Sequence, residues 1–147
     1  MLYRAMDIAK QAHWGQKDKG GNDYYEHPLA VMRMVNGGDE AVVALLHDVV
    51  EDSNIDLDYL RSEGFSETVI FAVDCITRRK SESYEDYLKR LVQSDVAIAV
   101  KIADMKHNSD ITRIPNPTKK DCDRVNRYQK KIEFLKSYQI GISLSIK

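Results

Sequence analysis

Apolar residues recur at helical spacing along nearly the whole chain. The stripe at Leu2, Ala5, Met6, Ala9 and Ala12 is the first example, and at about 100° per residue it lies on one helix face. The same spacing predicts further helices over residues 29–35, 40–51, 56–64, 67–77, 84–92, 96–108 and 119–138. No stretch shows the two-residue alternation of a strand. The pattern therefore predicts an all-α fold.

Residues that favour helix N-caps precede several of these segments. Side chains of Ser, Asp and Asn accept hydrogen bonds from the free N–H groups of a first turn. The predicted caps are Asp39, Ser66, Ser83 (with Asp86 three residues later) and Asp95, and Asp56 is predicted to begin the helix that ends near Gly64. Residues 139–147 carry no clear period. We therefore expect one domain over residues 1–147, with a core of about 1–138 and a C-terminal tail of 139–147.

Composition narrows the range of partners. Charged residues make up 31% of the chain, but the formal net charge is only -1, so electrostatics gives no case for binding nucleic acid or membranes. Neither a signal peptide nor an apolar run of transmembrane length is recognisable. Cys75 and Cys122 form no CxxC pair. We expect a cytoplasmic, reduced protein.

One otherwise apolar helix carries four titratable groups. The segment AVVALLHDVVEDS, residues 41–53, contains His47, Asp48, Glu51 and Asp52. Burying a carboxylate is costly unless it is paired, hydrogen-bonded or bound to a metal. This helix therefore points to a metal ion and a water molecule to activate.

Two further residues extend this set. Asp104 interrupts a second apolar stretch, and His27 stands beside Pro28 at a loop-to-helix junction. Together with His47 and Asp48 they supply two imidazoles and two carboxylates without a thiolate. Such a set suits Mn²⁺, Fe²⁺ or Zn²⁺ and leaves positions for water and substrate.

Each residue also has a structural explanation. Asp104 could be a buried hydrogen-bonding group, His27 a helix cap, and Glu51 and Asp52 the polar end of a helix. For the remaining histidines, His13 and His107, we favour structural roles. The combined pattern supports metal-assisted hydrolysis instead, because charges interrupt the two most apolar helices.

The chemistry predicted for such a metal is hydrolysis of a phosphate ester. A bound metal polarises a phosphoryl oxygen and lowers the pKa of its water. Glu51 and Asp52, one turn from two of the proposed ligands, could orient that water or protonate the leaving oxygen. The HExxH spacing of zinc peptidases is absent, which disfavours a peptide substrate.

The order of these motifs resembles that of the HD-domain phosphohydrolases. More closely, the segments at residues 12–28, 44–53 and 100–108 resemble the hydrolase domain of the RelA/SpoT homologue family, which removes the 3′-pyrophosphate of (p)ppGpp. The resemblance covers roughly residues 1–138. It implies a single HD-type helical domain with no room for a synthetase domain, and thus a small stand-alone alarmone hydrolase.

The resemblance also implies roles for individual residues. The metal ligands, typically for Mn²⁺, would be His27, His47, Asp48 and Asp104, and the water-activating acids would be Glu51 and Asp52. The nucleotide contacts would be Lys19, Asn108, Arg124 and Tyr128. For Arg124 and Tyr128 the alternatives are a solvated helix face and core packing.

Three positions depart from the family pattern. Asp18 stands where an arginine usually stacks on guanine, and a carboxylate cannot stack as a guanidinium does. Met105 and Ile111 replace a usual arginine and a frequent threonine. Two alternatives therefore stay open: an HD hydrolase of another nucleotide or phosphoester, and a nucleotide-binding HD module without turnover.

Overall fold

Helices make up most of the chain in the computed structural model, which describes the backbone of residues 1–146 and the side chains of residues 1–139. The helices are α1 (Leu2–Ala12), α2 (Glu26–Met34), α3 (Gly38–Leu46), α4 (Val49–Asp52), α5 (Leu57–Ser62), α6 (Glu67–Ile76), α7 (Tyr84–Leu91), α8 (Asp95–Asn108) and α9 (Lys119–Ile146). A 3₁₀ turn, Ile111–Arg113, precedes α9. Among the described residues the only β-type pairing is an isolated antiparallel bridge between Lys17 and Asp23. The all-α prediction is confirmed.

Two of the predicted caps, Ser66 and Ser83, are confirmed, and Asp56, predicted to begin a helix, is the N-cap of α5. Asp56, Ser66 and Ser83 each accept a hydrogen bond from the backbone N–H three residues later, at the starts of α5, α6 and α7. These bonds depend only on neighbouring residues, which is why the sequence predicts them.

The other two predicted caps are wrong. Helix α8 is capped by Ser94, whose hydroxyl accepts from the Ala97 N–H, so Asp95 is its first residue. Helix α3 follows Gly37 and has no side-chain cap, with Asp39 inside its first turn. Gly37 has a φ of 86°, a conformation that glycine adopts without strain.

The helix predicted over residues 40–51 is interrupted at His47 and Asp48. Helix α3 ends at Leu46 and α4 begins at Val49. The His47 Nδ1–H donates to the Ala44 carbonyl oxygen at 2.6 Å, within the last turn of α3. The interruption therefore lies at the two residues on which the predicted chemistry depends.

The last helix is longer than predicted. We expected it to end at Tyr138, but α9 continues to Ile146. The backbone of the predicted tail is therefore helical as far as it is described. The side chains beyond Gln139, and all of Lys147, lie outside the described residues.

The core forms where α2, α3, α6 and α9 pack around α8. All six residues from Ala41 to Leu46 are buried in α3, and α8 buries Val100, Ala103 and Met105 along with Asp104. Only His13, His27, His47 and Asp104 are buried polar residues among the side chains described. Among the described residues, none of the helices combines the length and the hydropathy that a membrane span needs.

Candidate metal centre

The four predicted metal ligands converge where α2, α8 and the junction of α3 with α4 meet. One donor atom from each of His27, His47, Asp48 and Asp104 lies within 4.8 Å of the others. Asp104 Oδ1 is 2.8 Å from His27 Nε2 and 3.3 Å from His47 Nε2, and Asp48 Oδ2 is 3.1 Å from His47 Nε2. Two imidazole nitrogens and two carboxylates at one point form a donor set that fits a divalent cation.

Hydrogen bonds orient both imidazoles for such a role. Because His47 Nδ1–H donates to a backbone carbonyl, Nε2 is the ring nitrogen directed at the cluster, and a metal that displaces its proton would bind there. His27 turns Nε2 towards the cluster, and its Nδ1 lies 2.7 Å from Nδ1 of His107. If His27 Nε2 binds a metal, its Nδ1–H donates to His107.

His107 is therefore a site residue that the sequence interpretation missed. The sequence favours a structural role for His107, yet its ring contacts that of His27 at the cluster. A signal was available, since His107 follows Asp104 by three residues on α8, which places both on one helix face.

Both carboxylates of the cluster are held in the ionised form. Burial alone would raise the pKa of Asp48, but His47 more than offsets this and the pKa falls to about 2. Burial would also raise the pKa of Asp104, but Lys101, His27 and His47 hold this pKa well below its usual value. Burial lowers the pKa of His47, but Asp48 and Asp104 bring it well above the usual imidazole range. The cluster thus presents ionised oxygen donors.

Further polar side chains, also missed from sequence, are hydrogen-bonded to Asp48 and Asp52. Tyr24 donates its hydroxyl hydrogen to Asp48 Oδ2. The Nδ1 of buried His13 is 3.0 Å from Gln16 Oε1, and Gln16 Nε2 donates to Asp52 Oδ2 at 3.5 Å. Tyr24 and Gln16 belong to an irregular loop, where no periodicity indicates the direction of a side chain.

The acidic pair lies at the rim of the cluster. Glu51 and Asp52 are exposed residues on α4. The pKa values of both are raised, first by partial burial and then by the nearby Asp48 carboxylate. A carboxylate with a raised pKa beside a metal-type cluster is suited to accept a proton from water.

Two cavities flank the cluster. The larger, about 280 Å³, contains all four predicted nucleotide contacts: Lys19, Asn108, Arg124 and Tyr128. The smaller, about 200 Å³, is lined by His47, Asp48 and Glu51 and by three cationic side chains, Arg78, Lys101 and Lys131. Tyr128 lines both. The structure therefore brings the four predicted contacts together around one cavity.

The three departures from the family pattern occupy different environments. Met105 is a buried core residue of α8, and Ile111 is half-buried in the 3₁₀ turn. Asp18 lines the larger cavity, where its carboxylate is hydrogen-bonded to Arg113.

Comparisons with known proteins agree with this architecture, although no family model matches the chain. The chain is 30% identical over 156 residues to a probable guanosine-3′,5′-bis(diphosphate) 3′-pyrophosphohydrolase of Synechocystis sp., covering 97% of this chain and 20% of that protein. It is 32% identical over 132 residues to a probable GTP pyrophosphokinase of Mycobacterium leprae, covering 81% of this chain and 17% of that protein. The chain thus spans about a fifth of the length of these curated relatives.

A solved structure shares the fold. It is that of a metazoan orthologue of SpoT, a protein that hydrolyses ppGpp, and it aligns with a TM-score of 0.73. The alignment covers 93% of this chain and 84% of that chain, at 21% sequence identity.

Proposed function

We propose that this chain, which belongs to the HD-domain proteins of the SpoT and RelA type, removes the 3′-pyrophosphate from ppGpp or a closely related guanosine polyphosphate. The observation that carries the proposal is the convergence of His27, His47, Asp48 and Asp104 between two cavities. The activities for which the Synechocystis relative and the SpoT orthologue are named support the same activity.

The four converging residues would hold the metal. We propose Mn²⁺, with Fe²⁺ and Zn²⁺ as alternatives that the same donors accept. When bound, the ion polarises a phosphoryl oxygen and makes a water molecule easier to deprotonate.

The remaining residues bind the substrate and move protons. Glu51 and Asp52 accept the proton of the attacking water. The water oxygen bonds to the phosphorus attached to the 3′ oxygen, and the bond between that phosphorus and the 3′ oxygen breaks. Pyrophosphate leaves with the water oxygen, and the 3′ oxygen takes back the proton from the acidic pair and becomes a hydroxyl.

The two cavities divide the substrate. The nucleoside end occupies the larger cavity, with Lys19, Asn108, Arg124 and Tyr128. The phosphate groups occupy the smaller cavity, which is lined by Arg78, Lys101 and Lys131, and these cations offset their charge. The proposed partner is therefore a small nucleotide. The positive and negative charges of the chain nearly balance, which gives no reason to propose nucleic acid or a membrane as a partner. We propose a cytoplasmic location.

The decisive experiment incubates the purified chain with Mn²⁺ and a panel of ppGpp, GTP, NADPH and deoxynucleoside monophosphates. We expect pyrophosphate release from ppGpp alone. Release only from another compound would favour a phosphohydrolase with a different substrate. Asp18 makes this alternative worth testing, because it replaces the arginine that usually stacks on guanine. Nucleotide binding without turnover would favour a non-catalytic module.

The roles of the acidic pair are tested by Glu51→Gln combined with Asp52→Asn. We expect turnover to be lost while Mn²⁺ still binds, because neither residue belongs to the converging set. Asp58→Asn combined with Glu67→Gln removes the same charges at an exposed surface site around Arg61, and this control should keep full activity. Full activity in the first double variant would rule out the assigned roles.

A further inference from the structure

One wall of the larger cavity is a tight turn closed by Asp18. The turn is bounded by the bridge between Lys17 and Asp23. Asp18 Oδ1 accepts hydrogen bonds from the backbone N–H groups of Gly20 and Asn22, both at 2.9 Å. The carboxylate of Asp18 therefore shapes the turn from within, as such side chains commonly do.

The other oxygen of Asp18 reaches across to the opposite wall. Asp18 Oδ2 accepts from Nη2 of Arg113 at 3.3 Å, and Nη1 of Arg113 donates to the His107 carbonyl oxygen at 2.9 Å. The side chains of Asp18 and Arg113 are only 14% and 24% exposed. A pair so enclosed is screened less by solvent than an ion pair on the open surface.

Gly20 shows how closely the two walls meet. A Cβ atom added there would lie 2.6 Å from the Arg113 carbonyl oxygen. Gly21, the next residue, has nothing within 4 Å of such an atom but has a φ of 83°. Gly20 is therefore required by the close approach, whereas Gly21 is required by its backbone conformation.

We propose that Asp18 and Arg113 form a positioning pair that fixes the wall of the larger cavity and thereby determines nucleotide affinity. The proposal rests on the proposed function. Arg113 continues the connection to His107, whose ring contacts His27 of the cluster. The pair thus holds the nucleoside-binding wall at a set distance from the cluster. The acid at position 18 acts through Arg113 rather than by contact with the base.

The test is steady-state kinetics of the full chain with Mn²⁺ and ppGpp. Asp18→Asn keeps an oxygen for the turn but removes the charge, and Arg113→Gln removes the partner. We expect each to raise KM about tenfold with kcat within about twofold, since the wall binds substrate without touching the reacting atoms. The double variant should be no worse than either single variant, because both remove one interaction.

Conservative variants and controls separate positioning from general loss of stability. Arg113→Lys keeps a charge for Asp18 and should have a KM between those of the wild type and Arg113→Gln. Gly20→Ala should raise KM, because a Cβ atom there would meet the Arg113 carbonyl oxygen on the opposite wall. Arg4→Gln breaks a 2.8 Å ion pair with Glu63 away from the cavities, and its KM should stay at the wild-type value.

Calorimetric binding of GDP distinguishes the two proposals. Weaker GDP binding by Asp18→Asn and Arg113→Gln than by wild type supports the positioning pair, even if ppGpp is not the substrate. Wild-type turnover of ppGpp with unchanged KM in both variants overturns the pair and leaves the proposed function standing. A fall in kcat at constant KM also overturns the pair. A wild-type chain that neither binds GDP nor hydrolyses ppGpp overturns both proposals.

Discussion

At the residue scale, the imidazole ring of His107 sets the orientation of the His27 ring. The rings of His27 and His107 lie edge to edge, with Nδ1 atoms 2.7 Å apart, centroids 4.9 Å apart and planes 26° apart. Burial, with the nearby Arg113 and His27, lowers the pKa of His107 to about 4. His107 is therefore neutral at pH values above about 4 and keeps one ring nitrogen free to accept a hydrogen bond from His27.

This arrangement predicts that His107 affects metal affinity without binding the metal. We expect His107→Ala to weaken Mn²⁺ binding by roughly 10- to 100-fold, the usual effect of removing a partner that orients a ligand. His107→Asn should lose less affinity, because its amide oxygen can accept the His27 hydrogen. Titration calorimetry with Mn²⁺ measures both. Wild-type affinity in His107→Ala would show that packing alone orients His27.

At the scale of the element, α8 carries Asp104 deep in the core and begins with a cap far from it. Ser94 accepts the Ala97 N–H, ten residues before Asp104, or about 15 Å along the helix axis. We expect Ser94→Ala to lower the free energy of unfolding by about 1 kcal/mol and to leave kcat and KM unchanged. Urea denaturation measures the first effect. Ser81→Ala, at an exposed serine outside the helices, is the control and should unfold as wild type does.

The elements also show which features of the fold are encoded locally. The caps at Asp56, Ser66 and Ser83 are predictable because each bond joins residues three apart. Ser94 and Asp95 are both good capping residues, and local chemistry does not distinguish them. The interruption at His47 and Asp48 is not predictable from periodicity, since residues on both sides continue the helical pattern.

The site residues also divide into those that the local sequence predicts and those that depend on contacts between distant segments. His27, His47, Asp48 and Asp104 are identifiable because polar groups interrupt apolar helices, or, for His27, because it adjoins a helix start. The partners Tyr24, His13 and Arg113 are not identifiable in this way. Their roles depend on contacts between segments far apart in sequence, such as the 95-residue separation of Asp18 and Arg113.

At the scale of the whole molecule, the cluster lies inside an apolar core that α3 and α8 largely provide. The buried residues include Val43, Leu45 and Leu46 of α3 and Ile98 and Val100 of α8. Hydrophobic burial of this extent is the main favourable contribution to folding. Two ionised carboxylates within it oppose folding unless cations compensate them. Lys101 compensates part of this charge, with Nζ 3.2 Å from Asp104 Oδ2.

A bound divalent cation should therefore stabilise the entire fold. At a free Mn²⁺ concentration 100 times its Kd, mass action adds about 2.7 kcal/mol to the free energy of unfolding. For a chain of this size we expect the unfolding temperature to rise by roughly 5–10 °C, which calorimetry measures directly. Asp104→Asn should lose most of this rise, whereas the surface variant Asp58→Asn should keep it. The metal-free chain should remain folded, because the apolar core does not depend on the ion. An unfolding temperature that responds to none of Mn²⁺, Fe²⁺ and Zn²⁺ would contradict metal binding at this cluster, whatever the substrate.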